Sequence, residues 1–557
     1  MVMNFKKDEL YFIPLGGAEQ FGVNLNIYGY KGKWLAIDCG LGFADERFPA
    51  IDILLPDPKF IEARKKDLLG LVITHAHEDH IGAVAHLWPR LRCPIYASPF
   101  TAAVLRRKMA ENSQCKGAEI IEIKAGGKLT LAPFTVTFTP VTHSVPQTSA
   151  LFIETDAGNI LHSGDWNLDP EPTIGEPTQA EPFIAFGKKG VLAYIGDSTN
   201  AEVDGMSGSE SDVERGLTTL LGECEGRVAI TIFASNIGRL RSICLAAKNQ
   251  GRKVALIGRS LHNMVGAAKE CGYLKDIDKF IEQDEVVDYP DNKILMILTG
   301  SQGEPRAQLA RIARGDHQEI TFKSGDTVIF SARPIPGNER DIIAVKNNLA
   351  ASRVRVISPR ETEHVIHVSG HPARDEITKM FQWVKPQSVI AVHGERTMLE
   401  AHAALARDMQ VPTAIVPNNG SVIRLYPGTP QVIGEVDTGL LAVEPGRIIN
   451  ADHPAIAQRR KLQFSGTVHV TMVMNKRGDL VADPQVSTVG LVDEKTPEGR
   501  EFEDKILDEV EDILADMERG DLGDDHFVAE ELRIGIRRLI QHKLQIKPKT
   551  SVHLVRV

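Results

Sequence analysis

His75-Ala76-His77-Glu78-Asp79-His80 is the stretch on which the reading of this sequence turns. It follows Leu69–Thr74, an apolar run with the composition of a buried β-strand. If the backbone stays extended past Thr74, alternate side chains share a face. His75, His77 and Asp79 then point one way and His80 another, while the small Ala76 lets the backbone turn close to an ion. Imidazole and carboxylate suit zinc, at about four ligands per ion. One segment thus feeds two neighbouring ions, His75 and His77 on one and Asp79 and His80 on the other. A pair of ions about 3.5–4 Å apart generates hydroxide at neutral pH and clamps a phosphoryl group during in-line displacement.

Two ions need more ligands, and donors recur where other strands should end. His143 follows Phe134–Val141, Asp165 follows Asn159–Ser163, His393 follows Ser388–Val392, and Asp38 follows Trp34–Ile37. In α/β sheets, ligands gather beyond the carboxyl ends of strands, so these positions are equivalent in space. A carboxylate such as Asp165 can bridge both ions with its two oxygens. One histidine among the 18 says little about metal, but this pattern with further strand-end donors points to a metal pair.

The chain of 557 residues suggests three or four compact units at about 150 residues each. From Leu10 to about Gly205, short apolar runs alternate with Gly- and Pro-bearing turns. From Met206 to Val354 the texture becomes strand–helix alternation. Arg227–Phe233 reads as a strand, Gly238–Asn249 as a helix and Val254–Ile257 as a strand, a βαβ unit that predicts a parallel sheet. Ser388–Val392 resumes the earlier style, so one α/β domain is inserted in another. The expected division is 1–205 with 355–427, an insertion at 206–354, a linker at 428–465 and a small α+β domain at 466–557. In that last domain, helices are expected around Gly499–Arg519 and Phe527–Lys543, the first with an apolar stripe of Phe502, Ile506, Val510, Ile513 and Leu514.

Hydrophobic residues make up 42% of the chain and charged ones 25%, which excludes disorder, collagen and coiled coil as the main architecture. Met1 to Leu10 has no apolar core, and no apolar run reaches the roughly 18 residues of a membrane span. The six scattered cysteines form no CxxC pair, which predicts reduced thiols and a cytoplasmic location. The net charge of −10 is concentrated: Asp493 to Asp525 holds fifteen acids and four bases. Gly226 to Lys269 holds eight Lys or Arg and no acid, a basic stretch that would attract phosphates whatever the total charge.

The motif, His143, Asp165 and the strand-end Asp38 resemble the metallo-β-lactamase superfamily, which implies an αββα sandwich. Gly196-Asp197-Ser198-Thr199, Val368-Ser369-Gly370-His371 and Val392-His393-Gly394-Glu395 resemble the three further motifs of the β-CASP nucleases. In that group a histidine at the third motif, here His393, implies RNA rather than DNA as substrate. Phe233-Ala234-Ser235-Asn236-Ile237, Thr299–Pro305 and Pro334–Glu339 are similar to the bacterial ribonuclease J family. The likeness covers nearly the whole chain, with Ala76 where many relatives have glycine and Gly238 where a bulky residue is common.

The resemblance implies a 5′→3′ exoribonuclease preferring 5′-monophosphate RNA, with endonuclease activity, acting in mRNA decay and RNA processing. A hydroxide bridging two divalent ions, zinc or alternatively manganese, would attack the phosphorus. His371 would stabilise the oxyanion or protonate the leaving oxygen. Asp79 would double as ligand and proton acceptor, while Asp197 and Asp38 would orient the ligands through hydrogen bonds. Ser235, Asn236, Ser331, Ser369, Gly370 and His371 are the expected phosphate contacts. Arg239, Arg241, Arg252, Lys253 and Arg259 would line the RNA path. The implied partners are single-stranded RNA, a second copy in a homodimer or homotetramer, and RNA-degradation proteins. Two other readings stand beside this one: a small-molecule metallo-hydrolase of the lactonase or thioesterase type, and a catalytically silent RNA-binding scaffold.

Overall fold

Strands with large apolar side chains at alternate positions build two sheets that bury one face against each other. The structure, a computed structural model, describes residues 3–557, so Met1 and Val2 of the N-terminal stretch lie outside the described residues. The first sheet has eight strands, in the order Gln431–Glu435, Ser421–Tyr426, Leu10–Gly16, Leu25–Tyr30, Lys33–Ile37, Leu68–Val72, Ile95–Ala97 and Ile120–Glu122. The second has seven: Thr413–Ile415, Ser388–Val392, Ala193–Asp197, Gly158–His162, Ser149–Thr155, Phe134–Pro140 and Lys128–Leu131. Phe12, Tyr28, Leu35 and Val72 of one meet Phe134, Phe138, Ile153 and Ile195 of the other, all excluded from water. Each such side chain stabilises the fold by about 1.5–3 kcal/mol.

Helices Val84–Leu91 and Pro99–Ala110 lie on the side of the first sheet. Ala180–Lys189, Arg374–Val384 and Arg396–Asp408 cover the second through Phe183, Phe381 and Leu405. The layers therefore run αββα. Gly158–His162, Ala193–Asp197 and Ser388–Val392 are mutually parallel, and Lys33–Ile37 is parallel to Leu68–Val72. Within each set the carboxyl ends share one edge.

The inserted domain is a five-stranded parallel sheet, ordered Lys253–Ile257, Ile294–Leu298, Val228–Thr231, Thr327–Phe330, Arg355–Ile357. Its last strand lies beyond the expected boundary at 354. Three residues, with Arg355 exposed, carry too little apolar signal to read as a strand.

The stretch 428–465 is not a linker. Gln431–Glu435 is an edge strand of the first sheet, Leu440–Glu444 and Arg447–Asn450 form a hairpin, and Pro454–Ser465 is a helix. Val432 and Ile433 sit largely exposed on that edge, so no buried alternation marks it.

A second compact unit comprises residues 44–53 and 441–557. Residues 44–53 were expected with the first domain; Ala44 N–H donates to Asp52 O at 3.0 Å, closing them into a loop of their own. In this unit Thr467–Met474 pairs antiparallel with Leu480–Val489 and parallel with Lys549–Arg556. Helices Pro497–Asp516 and Asp525–Leu544 bury Phe502, Ile506, Val510, Val528, Leu532 and Ile536 against Val468, Val470 and Met472. Ile513 and Leu514 of the expected stripe are only partly buried. Among the described residues no helix is long and apolar enough to cross a membrane.

Candidate metal centre

The decisive segment does not stay extended. Glu78–Ile81 forms one helical turn, with His77 in extended conformation (φ −74°, ψ 152°) at its start. His75 and His77 project from extended backbone, whereas Asp79 and His80 leave from the turn. Main-chain hydrogen bonds set the turn: Leu41 N–H to Glu78 O at 2.9 Å and Cys39 N–H to His80 O at 2.8 Å. Gly40 packs so tightly beneath that a Cβ there would lie 1.5 Å from Asp79 O.

Three donor groups meet at Asp165, and two of them hold the expected ligands: His75, His77, His143 and Asp165 in one, Asp79, His80, Asp165 and His393 in the other, the third being Asp165, Asp197, His371 and His393. Within each set the donor atoms lie within 4.8 Å of one another. In the first, His77 Nδ1 faces His75 Nε2 at 3.1 Å and His143 Nε2 at 3.0 Å. In the second, Asp165 Oδ2 lies 3.2 Å from His80 Nε2 and 3.4 Å from His393 Nε2. Asp79 Oδ2 lies 3.4 Å from His80 Nε2 and 3.7 Å from His393 Nε2.

The remote ring nitrogens are already engaged, which aims the others inward. His143 Nδ1–H donates to Gly370 O at 2.6 Å, and His80 Nδ1–H to Asp38 Oδ2 at 2.7 Å. His75 Nδ1 contacts Thr74 Oγ1 at 3.0 Å, and His77 Nε2 contacts Ser144 Oγ at 3.3 Å. Asp38 also accepts from the Thr74 amide at 2.8 Å, and it holds a left-handed backbone (φ 61°) that costs a non-glycine residue about 1–3 kcal/mol. Such strain at a strand end is a frequent mark of a functional site.

Both oxygens of Asp165 are buried without a well-aligned hydrogen-bond donor. An uncompensated buried carboxylate is costly unless it is paired or coordinates a metal. The donor chemistry and this carboxylate therefore fit a pair of divalent ions, held by the two sets with Asp165 between them. Burial, followed by the neighbouring imidazole of His143, lowers His77 to about 3. Burial likewise brings His143 down to about 4. Both are neutral at pH 7 and offer lone pairs. Burial also disfavours charge on His80, but Asp165, Asp79 and Asp38 outweigh it and hold its pKa well above the usual range. The carboxylates that favour a proton there favour a metal cation in its place.

At the lip of the centre His371 Nδ1 lies 2.8 Å from Asp197 Oδ2 and 3.8 Å from Asp165 Oδ2. Burial opposes charge on His371, yet the carboxylates of Asp197 and Asp165 raise it to about 9. Asn200 Nδ2 fixes this loop by donating to Ser369 Oγ at 2.8 Å and His371 O at 3.1 Å.

Several expected RNA contacts lie inside the protein instead. Arg239 is 1% exposed, pairs with Glu210 and donates to Ser331 O at 2.9 Å and Ser331 Oγ at 2.8 Å. It cannot line an RNA path; it props the segment before Ser369 from beneath, through Ile366 O and Val368 O. Ser331 Oγ donates to Ile366 O at 2.6 Å, and Asn236 accepts from Arg239 N–H as a helix cap. Arg252 is buried against the main chain at Cys224 and Gly226, and Arg241 is tied to Asp276. Ser235, Ser369, Gly370, Lys253 and Arg259 remain at least partly exposed.

Sequence reasoning passed over Asn24, Thr74, Asn200 and His402. His402 is buried, and its Nδ1 lies 2.9 Å from Ser198 Oγ, directly behind Asp197. Asn200 lies one residue beyond the motif Gly196-Asp197-Ser198-Thr199.

Comparison with known proteins follows the same lines. Residues 225–349 match the family model of the ribonuclease J beta-CASP domain, and 454–557 match that of the ribonuclease J C-terminal domain. Residues 33–181 match a beta-lactamase superfamily domain, and 357–417 a Zn-dependent metallo-hydrolase RNA specificity domain. The chain is 40% identical to ribonuclease J of Sinorhizobium meliloti over 99% of its own length and 98% of that protein's. It is 33% identical to ribonuclease J of Synechocystis over its full length and 88% of the relative. A crystal structure of a protein of unknown function from Enterococcus faecalis shares the fold at 18% identity and a TM-score of 0.53, covering 75% of this chain and all of that one.

Proposed function

This chain belongs to the ribonuclease J family, and from that premise we propose that it degrades RNA 5′→3′ from a 5′-monophosphate end and also cuts internally, in mRNA decay and RNA processing. It is a hydrolytic, metal-dependent ribonuclease. The small-molecule and silent-scaffold readings find no support in the two relatives above, both named ribonuclease J. The observation that carries the proposal is the pair of donor sets meeting at Asp165, with His371 at their lip.

Divalent ions bound there, zinc or manganese, supply Lewis acidity that lowers the pKa of water and neutralises charge on the phosphate. The chain's own groups do the rest. His75, His77, His143 and Asp165 would hold one ion, and Asp79, His80, Asp165 and His393 the other. Asp197 keeps His371 Nδ1 engaged at 2.8 Å, leaving Nε2 to hand a proton to the departing 3′-oxygen. Water adds to phosphorus as the P–O3′ bond breaks, so the products are a 3′-hydroxyl and a 5′-phosphate. The partly exposed Ser235, Ser369 and Gly370 are the remaining donors for a 5′-phosphate.

Purified protein supplied with zinc or manganese and matched 5′-monophosphate and 5′-triphosphate RNAs tests this reading. Faster decay of the monophosphate RNA, abolished by a chelator and restored by metal, is expected. Equal rates on both ends would reject the end preference, and cleavage persisting in chelator would reject the metal.

A further inference from the structure

We infer that Asn24 is a positioning residue that fixes which nitrogen His393 presents to a metal and ties His393 to Asp79. The inference rests on the metal-dependent reading above. Asn24 belongs to no motif. It is 2% exposed and stands just before the strand Leu25–Tyr30. Its main chain is committed on both sides: its N–H donates to Asp79 O at 3.3 Å, and its carbonyl accepts from Gly40 N–H at 2.9 Å.

The side chain joins two ligands distant in sequence. Asn24 Nδ2 donates to Asp79 O at 2.9 Å. The same amide lies against His393 Nδ1, with Nδ2 at 3.0 Å and Oδ1 at 3.2 Å, and Nδ2 is 3.4 Å from His80 Nε2. His393 Nε2 faces Asp165 and Asp79, so ligation of a metal there needs the ring proton on Nδ1, and Asn24 Oδ1 at 3.2 Å is the amide atom able to accept it. An acceptor at that place keeps the proton on Nδ1 and leaves the Nε2 lone pair facing Asp165 and Asp79. The ring has little freedom to do otherwise. His393 sits at φ 56°, its N–H donates to Gly17 O at 2.7 Å, and its carbonyl accepts from Ser198 N–H at 3.2 Å.

Asn24 thus serves one donor set only. Its contacts are with Asp79, His80 and His393, not with His75, His77 or His143. The other rings rely on Asp38, Thr74, Ser144 and Gly370 for the same service. A neutral amide performs this task without adding another carboxylate beside Asp79 and Asp165.

Full-length Asn24→Ala and Asn24→Asp variants test the role, by competitive zinc titration read against a chromophoric chelator and by kcat and KM on RNA. In Asn24→Ala, one zinc is expected to bind as in the parent and the other about 10–100-fold more weakly. Its kcat should fall by a similar factor and recover at raised metal, with KM unchanged. Asn24→Asp keeps the oxygen that accepts from His393 but loses the donor to Asp79 O, so it should hold the second ion more tightly than Asn24→Ala and less tightly than the parent. Parent-like binding of both ions in Asn24→Ala, equal weakening of both, or second-ion binding in Asn24→Asp no tighter than in Asn24→Ala would each overturn the inference. A parent protein that bound no ion or left RNA intact would instead overturn the proposed function.

Discussion

His371 is held as the proposed proton donor would need to be. Asp197 holds its Nδ1, and its ring lies nearly parallel to that of His393, with centroids 5.6 Å apart. It belongs to neither expected ligand set; with Asp165, Asp197 and His393 it forms a third cluster of possible donors, but there its Nδ1 is taken by Asp197. His371→Ala should therefore keep both ions and lose about 10²–10⁴-fold in kcat, the usual contribution of a positioned proton donor. Metal content measured beside the rate checks this, and an unchanged rate would remove His371 from the chemistry. Gly40 acts by its lack of a side chain. Gly40→Ala must displace the Asp79 carbonyl, so it should cut metal content and activity together, and a fully active variant would contradict the close packing. The candidate donors His75, His77, Asp79, His80, His143, Asp165 and His393 were legible because few residue types bind metal and all follow strands. Asn24, Thr74 and Asn200 were not, since Asn and Thr in loops are ordinary turn residues until folding places a histidine beside them.

At the scale of elements, the basic stretch Gly226–Lys269 divides: Arg239 and Arg252 are buried, against the expectation of an RNA path, and Lys253 and Arg259 are exposed. It contains no acid, yet Arg239 and Arg241 find acids from elsewhere, Glu210 and Asp276. Charge counted along the chain does not give charge in space. Arg239 joins the helix Ile237–Asn249 to the segment leading to Ser369. Arg239→Ala leaves Glu210 poorly compensated and should lower stability by about 3–5 kcal/mol. Denaturant unfolding checks this, and a midpoint equal to the parent's would show that the pair is dispensable. The parallel strands of the insertion were readable from dense apolar runs between turns. The helical turn Glu78–Ile81 was not, because four residues carry no helical period and the turn is imposed by Cys39 and Leu41.

At the scale of the whole molecule, a net charge of −10 coexists with a ribonuclease, because fifteen of the acids lie between Asp493 and Asp525. RNA affinity should still weaken with salt as counterions are released, with a clearly negative slope of log K against log salt concentration. A flat response would mean that phosphate contacts contribute little. The inserted parallel sheet followed from the strand texture and the αββα order from the family resemblance, whereas edge strands such as Gln431–Glu435 left no signal because they bury little.

The central claim is that Asp165 lies between two divalent ions, and anomalous diffraction from zinc-loaded crystals tests it most directly. Two peaks about 3.5–4 Å apart are predicted, one beside His75, His77 and His143 and the other beside Asp79, His80 and His393, with Asp165 touching both. No peak at Asp165, or a single peak with His393 turned away from it, would contradict the account.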